Sequence, residues 1–185
     1  MSAAKFLRGQ KMFILISGSA GSGKSHLAES LLTGSKKIYI ATAKIYDSDI
    51  EMLERVKRHK LMRADKNFIT IEQSNNLSEI AESCRDSSVL IESLTTLTAN
   101  EIFCDDVINN SDSVIKKIFR DIMNIKAISN NLILVSDNIF CDGIIYDDLT
   151  ELYIKTLAEL VKKFARESDD IIECFAGLSF YYKNL

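Results

Sequence analysis

The fold of this chain is decided by the stretch Ile14-Leu15-Ile16-Ser17-Gly18-Ser19-Ala20-Gly21-Ser22-Gly23-Lys24-Ser25. An apolar run typical of a strand leads into a glycine-rich turn, and apolar residues then recur at helical spacing from Leu27 to Leu32. Residues 18–25 match the pattern G-x-x-x-x-G-K-[ST], the phosphate-binding loop of nucleotide-binding proteins. Because the match lies between a strand and a helix, we interpret it as a phosphate site rather than as a turn without a ligand.

Each residue type in this loop has a chemical purpose. Glycines let backbone N–H groups turn toward a phosphate, and the following helix presents the positive end of its dipole. Lys24 is expected to act on the β- and γ-phosphates as a catalytic residue, and the Ser25 hydroxyl is the expected Mg²⁺ ligand. The predicted nucleotide-binding residues of the loop are Gly18, Ser19, Ala20, Gly21, Ser22, Gly23, Lys24 and Ser25.

Length and composition favour one domain over residues 1–185, with residues 1–11 as a flexible N-terminal extension. A net charge of −3 gives no reason to expect nucleic acid as a partner. The four cysteines are far apart and form no C-x-x-C pair, which argues against a metal cluster and is typical of reduced thiols in a cytosol. No apolar stretch has the length of a transmembrane helix, so we expect a cytoplasmic protein without a membrane anchor.

Strand and helix patterns alternate along the chain. Strands are predicted at 12–16, 37–43, 68–72, 88–92 and 131–137, and helices at 24–32, 94–103, 113–128 and 147–167. A further helix is predicted to start after the capping side chains at 47–49 and to end near residue 63, and a helical segment is predicted at 77–84. Residues 171–182 are typical of two strands joined by a turn at 176–177. These patterns predict an α/β P-loop nucleotide-binding fold: a mostly parallel sheet with helices on both faces and a C-terminal strand pair.

A carboxylate ends one of the buried strands. Glu92 follows the apolar run 88–91, and ligands of open α/β sheets bind at the carboxyl ends of strands. Glu92 is therefore a candidate to hold Mg²⁺ opposite Ser25, the alternative being a solvated residue at a strand end. Asp137, at the end of the following strand, is a weaker candidate for the same role.

A basic segment carries one of the two histidines of the chain. Five lysines or arginines lie within residues 55–63, around His59. Such a cluster suits a polyphosphate, and its charge favours a neutral imidazole, which is a competent nucleophile for phosphorus. The residues by themselves leave open the alternative of a solvated basic helix face with an incidental histidine.

Taken together, the chain resembles the bifunctional adenosylcobinamide kinase / adenosylcobinamide-phosphate guanylyltransferase family of cobalamin biosynthesis. The resemblance runs over about residues 12 to 145, and its most specific pieces are the strand Tyr39-Ile40-Ala41-Thr42 and the pattern Arg-x-x-x-His-[Lys/Arg]-x-x-Arg at 55–63. Further matching pieces are the phosphate loop, Thr70 with Glu72, and the run from Leu90 to Asn100.

The resemblance implies two reactions. The family phosphorylates the aminopropanol hydroxyl of adenosylcobinamide with ATP or GTP, and then transfers GMP from GTP through a covalent histidine intermediate. The matching catalytic histidine is His59. The resemblance also implies a ring-like homotrimer, Mg²⁺, a corrinoid substrate and further guanine nucleotide-binding positions, which are Thr42, Ala43, Lys44, Lys60, Leu61, Met62, Arg63, Glu72 and Glu92.

The chain departs from the family pattern at several places, most of them in its C-terminal third. The segment from Tyr39 to Val56 is two residues longer than usual, the glutamate of the family is Asn138, and its proline is Tyr146. The next helix carries Ile154-Lys155-Thr156 and Lys162-Lys163 in place of the usual residues. Two alternatives therefore stay open: a P-loop kinase with a different acceptor, and a nucleotide-binding regulatory module with a degenerate site.

Overall fold

The computed structural model describes residues 11–44, 68–104, 107–140 and 143–183. Its strands are β1 (Met12–Gly18), β2 (Lys37–Ala41), β3 (Phe68–Glu72), β4 (Ser88–Glu92), β5 (Phe103–Cys104), β6 (Val107–Ile108), β7 (Asn131–Asp137), β8 (Asp170–Phe175) and β9 (Leu178–Lys183). Its α-helices are α1 (Lys24–Leu31), α2 (Leu94–Ile102), α3 (Ser111–Ile128) and α4 (Asp148–Glu167), and a 3₁₀ helix spans Leu77–Cys84.

Within the described residues, seven strands form one sheet in the order β3-β2-β4-β7-β1-β8-β9. All neighbouring pairs are parallel except β8 and β9, which form an antiparallel pair. The register places Gly18 opposite Asp137, and Ala41 opposite both Glu72 and Glu92. The carboxyl ends of β1, β2, β3, β4 and β7 therefore meet at one edge of the sheet, where the phosphate loop begins.

Two apolar layers cover the sheet, because successive side chains of a strand point to opposite faces. Phe13 and Leu15 of β1 pack with α2, α3, α4 and the 3₁₀ helix. Ile14 and Ile16 pack on the other face, where Ala28 of α1 joins them. This arrangement confirms the predicted α/β fold with helices on both faces.

Most predicted elements are confirmed, with small shifts at their ends. The strand predicted over 37–43 ends at Ala41, and the helix predicted from 113 begins at Ser111, since the Asn110 side chain accepts from the Asp112 amide at 2.9 Å and caps it there. The short pair β5 and β6 was not predicted, because strands of two residues carry no periodicity. The predicted extension (Lys11 excepted) and the predicted helix that ends near residue 63 lie outside the described residues.

The C-terminal turn is where the sequence predicts it. Ala176 and Gly177 have φ of 48° and 81°, the left-handed conformation of a tight hairpin. Among the described residues, no helix is both long enough and apolar enough to cross a membrane.

Candidate nucleotide-binding site

The phosphate loop connects the buried strand β1 to the first turn of α1. Gly21 and Gly23 have φ of 71° and 93°, a region that glycine adopts without steric cost. Gly18 is required for a different reason: a Cβ there would lie 2.5 Å from Ser22 Oγ and 2.6 Å from the Cys174 carbonyl oxygen. Gly21 and Gly23 are therefore required by the backbone conformation, and Gly18 by the close approach of Ser22 and Cys174.

Backbone hydrogen bonds attach this loop to its neighbours. The Asn138 amide donates to the Gly18 carbonyl at 3.0 Å, and the Gly177 amide donates to the Ser22 carbonyl at 3.2 Å. The Ser22 hydroxyl is buried and has no hydrogen-bond partner among the described residues. The loop is thus held in place by the end of β7 and by the β8–β9 turn.

Lys24 is buried at the base of the loop, with 7% of the residue exposed. Its ammonium lies 2.7 Å from Asp137 Oδ1 and donates to the Ser19 carbonyl at 3.1 Å. In a nucleotide complex, the Lys24 ammonium would contact phosphate oxygens. In this structure Asp137 and Ser19 supply the oxygens that it contacts. Asp137, which the sequence offered only as a weaker metal candidate, is therefore the partner of the loop lysine.

Ser25 and Glu92 are brought together, as the sequence predicts. The Ser25 hydroxyl donates to one oxygen of the Glu92 carboxylate, and the Tyr39 hydroxyl donates to the other at 2.8 Å. The register of β2 and β4 explains the contact, because it brings the end of β4 to the same edge as the loop. Hydroxyl and carboxylate oxygens are ligands that Mg²⁺ prefers, so Ser25 and Glu92 would suit this ion.

The Thr42 side chain forms hydrogen bonds with the backbone of Ser93. The residue is fully buried, its hydroxyl donates to the Ser93 carbonyl at 2.8 Å, and it accepts from the Ser93 amide at 2.7 Å. The Asn100 amide group donates to the Thr42 carbonyl at 2.7 Å. These bonds fasten the end of β2 to the start of α2, next to Ala43 and the exposed Lys44. Binding of nucleotide by residues 42–44 stays a prediction.

The second predicted half of the site is only partly described. Glu72 is exposed at the end of β3, and the register places it beside Ala41 at the end of β2. Glu92 lies on the other side of Ala41, at the end of β4. His59, Lys60, Leu61, Met62 and Arg63 lie outside the described residues, so their roles stay predictions.

A cavity of about 730 Å³ opens beside the loop, and sequence reasoning did not find it. The ends of β1, β7 and β8 and the beginning of α4 form its wall. Its lining includes Gly18, Ser19, Asn138, Tyr146, Thr150 and Ile154. The available signal was indirect: Asn138, Tyr146 and Ile154 are positions at which the chain departs from the family pattern.

Burial and charge lower the acidity of Tyr153, which lines the cavity. Burial, together with the nearby Asp137 carboxylate, raises the pKa of Tyr153 to about 12. Its hydroxyl donates to the Thr95 carbonyl at 3.3 Å. Tyr153 therefore stays protonated at neutral pH and serves as a hydrogen-bond donor.

The sheet, the loop and the Ser25–Glu92 contact define an α/β protein of the P-loop nucleotide-binding class. A family model described as CobU, cobinamide kinase / cobinamide phosphate guanyltransferase, matches residues 14–181. The chain belongs to this family, which confirms the resemblance drawn from its residues.

Two curated relatives agree with this assignment. The chain is 38% identical over 95 residues to the bifunctional adenosylcobalamin biosynthesis protein CobU of Escherichia coli, and 37% identical over 95 residues to the protein of the same name from Salmonella typhimurium. Each match covers 50% of this chain and 51% of the relative, so the chain spans about half the length of the curated relatives it matches. Among solved structures, the flagellar accessory protein FlaH from Methanocaldococcus jannaschii aligns with a TM-score of 0.41 and 14% identity, covering 92% of this chain and 75% of that one.

Proposed function

We propose that this chain is a transferase that phosphorylates adenosylcobinamide and then joins GMP to the product. The observation that carries the proposal is the family match over residues 14–181, on a chain that holds Lys24, Ser25 and Glu92 at one edge of its sheet. The description of the family names cobinamide and cobinamide phosphate, and the names of the two relatives refer to adenosylcobalamin biosynthesis.

In the kinase step, the hydroxyl oxygen of cobinamide attacks the γ-phosphorus of ATP or GTP, and the hydroxyl proton is released to solvent. The bond from that phosphorus to the bridging oxygen breaks, and the nucleoside diphosphate leaves with the electron pair. Lys24 neutralises charge on the transferring phosphoryl group, and the backbone amides of the loop hold the β-phosphate. Ser25 and Glu92 would hold Mg²⁺, which when bound neutralises further phosphate charge.

In the guanylyltransferase step, a ring nitrogen of His59 attacks the α-phosphorus of GTP. Pyrophosphate leaves, and GMP stays bound to the imidazole. The phosphate of cobinamide phosphate then attacks the same phosphorus, which regenerates His59 and forms a diphosphate linkage. We place the guanine nucleotide along the ends of β2 and β3, where residues 42–44 and Glu72 lie.

A labelling experiment tests the histidine intermediate. Wild-type protein incubated with GTP labelled in the α-phosphate and with Mg²⁺ should acquire an adduct that is labile to acid and stable to base. His59→Ala should abolish the adduct, and His26→Ala is the matched control, because the chain has two histidines and His26 is exposed on α1. An adduct that persists in His59→Ala, or its absence in wild type, contradicts the guanylyltransferase proposal.

A kinase with a changed acceptor is the second candidate. The observation that favours it is that Asn138, Tyr146 and Ile154, three departures from the family pattern, line one cavity beside the loop. A titration with cobinamide separates the two candidates, because a kinase with a different acceptor should show no affinity for the corrinoid.

We further propose that the chain works as one domain, as a homotrimer and in the cytoplasm. Cys84, Cys104 and Cys174 form no disulfide with one another, which is consistent with a reducing compartment. Sedimentation equilibrium tests the trimer directly, and a monomer or dimer at working concentration would contradict it.

A further inference from the structure

We propose that the 730 Å³ cavity beside the phosphate loop is the acceptor subsite of the kinase reaction and receives the hydroxyl-bearing arm of the corrinoid. This inference rests on the proposed function. The inference assigns the acceptor to a cavity formed by the ends of β1, β7 and β8 and the beginning of α4. Of the predicted nucleotide-binding residues, this cavity shares only Gly18 and Ser19 of the loop.

The position of the cavity is the first argument. Gly18 and Ser19 form part of its wall, and the Ser19 carbonyl accepts from the Lys24 ammonium at 3.1 Å. A hydroxyl inside the cavity therefore lies next to the group that contacts the transferring phosphate. This adjacency is what attack of an acceptor oxygen on phosphorus requires.

The strand order is the second argument. The predicted base-side residues 42–44 and Glu72 follow β2 and β3, whereas the cavity lies at the ends of β7, β1 and β8. In the order β3-β2-β4-β7-β1-β8, these two groups lie on opposite sides of β4. Donor and acceptor can then approach the loop from opposite directions without competing for space.

The lining chemistry is the third argument. Asn138, Tyr146 and Thr150 supply amide and hydroxyl groups, and Ile139 and Ile154 supply apolar surface. Such a mixture suits an arm built from short carbon chains, amides and one hydroxyl. The volume of about 730 Å³ falls in the range of about 300–1,000 Å³ for drug-sized ligands, so the cavity admits an arm while the larger macrocycle stays outside.

Exposed apolar residues beside the cavity are the surface that we assign to the corrinoid macrocycle. Ile145, Leu149 and Phe175 have 94%, 45% and 65% of their surface exposed, and they lie just before α4, in its first turn and at the end of β8. Phe175 lines the cavity, and Ile145 and Leu149 directly precede the lining residues Tyr146 and Thr150 in the chain. Exposed apolar residues beside a cavity are typical of a binding surface, so we assign these three residues to the macrocycle of the acceptor.

Filling the cavity tests the inference. Thr150→Phe places a ring in it and keeps the hydrogen bond from the Thr150 amide to Asp147 Oδ1, but it removes the bond from the Thr150 hydroxyl to Asp147 Oδ2. Ser113→Phe is the matched control, because Ser113 is also a hydroxyl residue in a first helical turn and bonds the capping residue Asn110. Asn138→Ala is a second variant, which removes an exposed amide and adds no bulk.

The readouts are the dissociation constant for cobinamide, measured by equilibrium dialysis, the KM for cobinamide, and the affinity for a fluorescent GTP analogue. Thr150→Phe should weaken cobinamide binding by about tenfold or more, and Asn138→Ala by about two- to tenfold. Affinity for the GTP analogue and the amount of GMP adduct should match those of wild type and Ser113→Phe.

Four outcomes overturn the inference. Unchanged cobinamide binding in both variants places the acceptor elsewhere. A loss of affinity for the GTP analogue in both variants shows that the cavity holds nucleotide, and a changed sedimentation coefficient in Thr150→Phe shows that the exposed apolar residues beside the cavity form a subunit interface. Failure of wild type to bind cobinamide overturns this inference together with the acceptor in the proposed function, whereas the adduct still reports separately on GMP transfer.

Discussion

Replacing Asp137 by asparagine should destabilise the free protein and strengthen nucleotide binding. The carboxylate lies 2.7 Å from the Lys24 ammonium, with 30% and 8% of the two side chains exposed. At an effective dielectric constant of 20, two unit charges at this separation attract by about 6 kcal/mol, but the desolvation of a buried ammonium offsets most of it. Since asparagine keeps one acceptor oxygen, we expect a net loss of about 1–3 kcal/mol in the free energy of unfolding.

The effect on nucleotide affinity has the opposite sign. In the proposed nucleotide complex, Lys24 exchanges the Asp137 carboxylate for phosphate oxygens, and the charge of Asp137 also repels those phosphates. Removing the charge therefore strengthens binding by a comparable 1–3 kcal/mol, which is about 5- to 150-fold in the dissociation constant.

Two measurements check these expectations. Thermal unfolding of the nucleotide-free variant should show a midpoint lower by about 2–4 °C per kcal/mol, and isothermal titration with GDP should show tighter binding. Glu159→Gln is the control for loss of one charge, because Glu159 is exposed on α4 and pairs there with Lys162 at 2.7 Å. Weaker GDP binding by Asp137→Asn would refute the reasoning, because it would mean that the carboxylate positions Lys24 for phosphate instead of competing with it.

Two further predictions concern the loop and the core. Gly18→Ala should lower the free energy of unfolding by about 1–3 kcal/mol, measured by urea denaturation. The added Cβ would lie 2.6 Å from the Cys174 carbonyl oxygen, a backbone atom that cannot rotate away. Equal stability of variant and wild type would show that the loop moves aside. Cys84 should resist iodoacetamide at pH 8 in native protein and react after unfolding, as peptide mapping would show. Burial raises the pKa of Cys84 from 9.0 to about 11, so its thiolate is about a hundredfold scarcer at that pH, and labelling of native Cys84 at the rate seen in urea would contradict this.

The sequence by itself determined the α/β class, the phosphate loop and the carboxylate that contacts its serine. Residues 18–25 carry a pattern whose glycines, lysine and serine are required locally, and apolar runs of strand length alternate with helical periodicity. The contact between Ser25 and Glu92 was also predictable, because strands that run parallel bring their carboxyl ends to one edge.

Only the tertiary structure decided the order of the strands and everything that depends on it. The pairing of Met12 with Asn131 joins residues 119 positions apart, and no local pattern encodes it. The Lys24–Asp137 ion pair and the cavity between β1, β7, β8 and α4 both follow from that pairing. Local periodicity reports which face of an element is buried, whereas the neighbour that covers it is selected by the packing of the whole sheet.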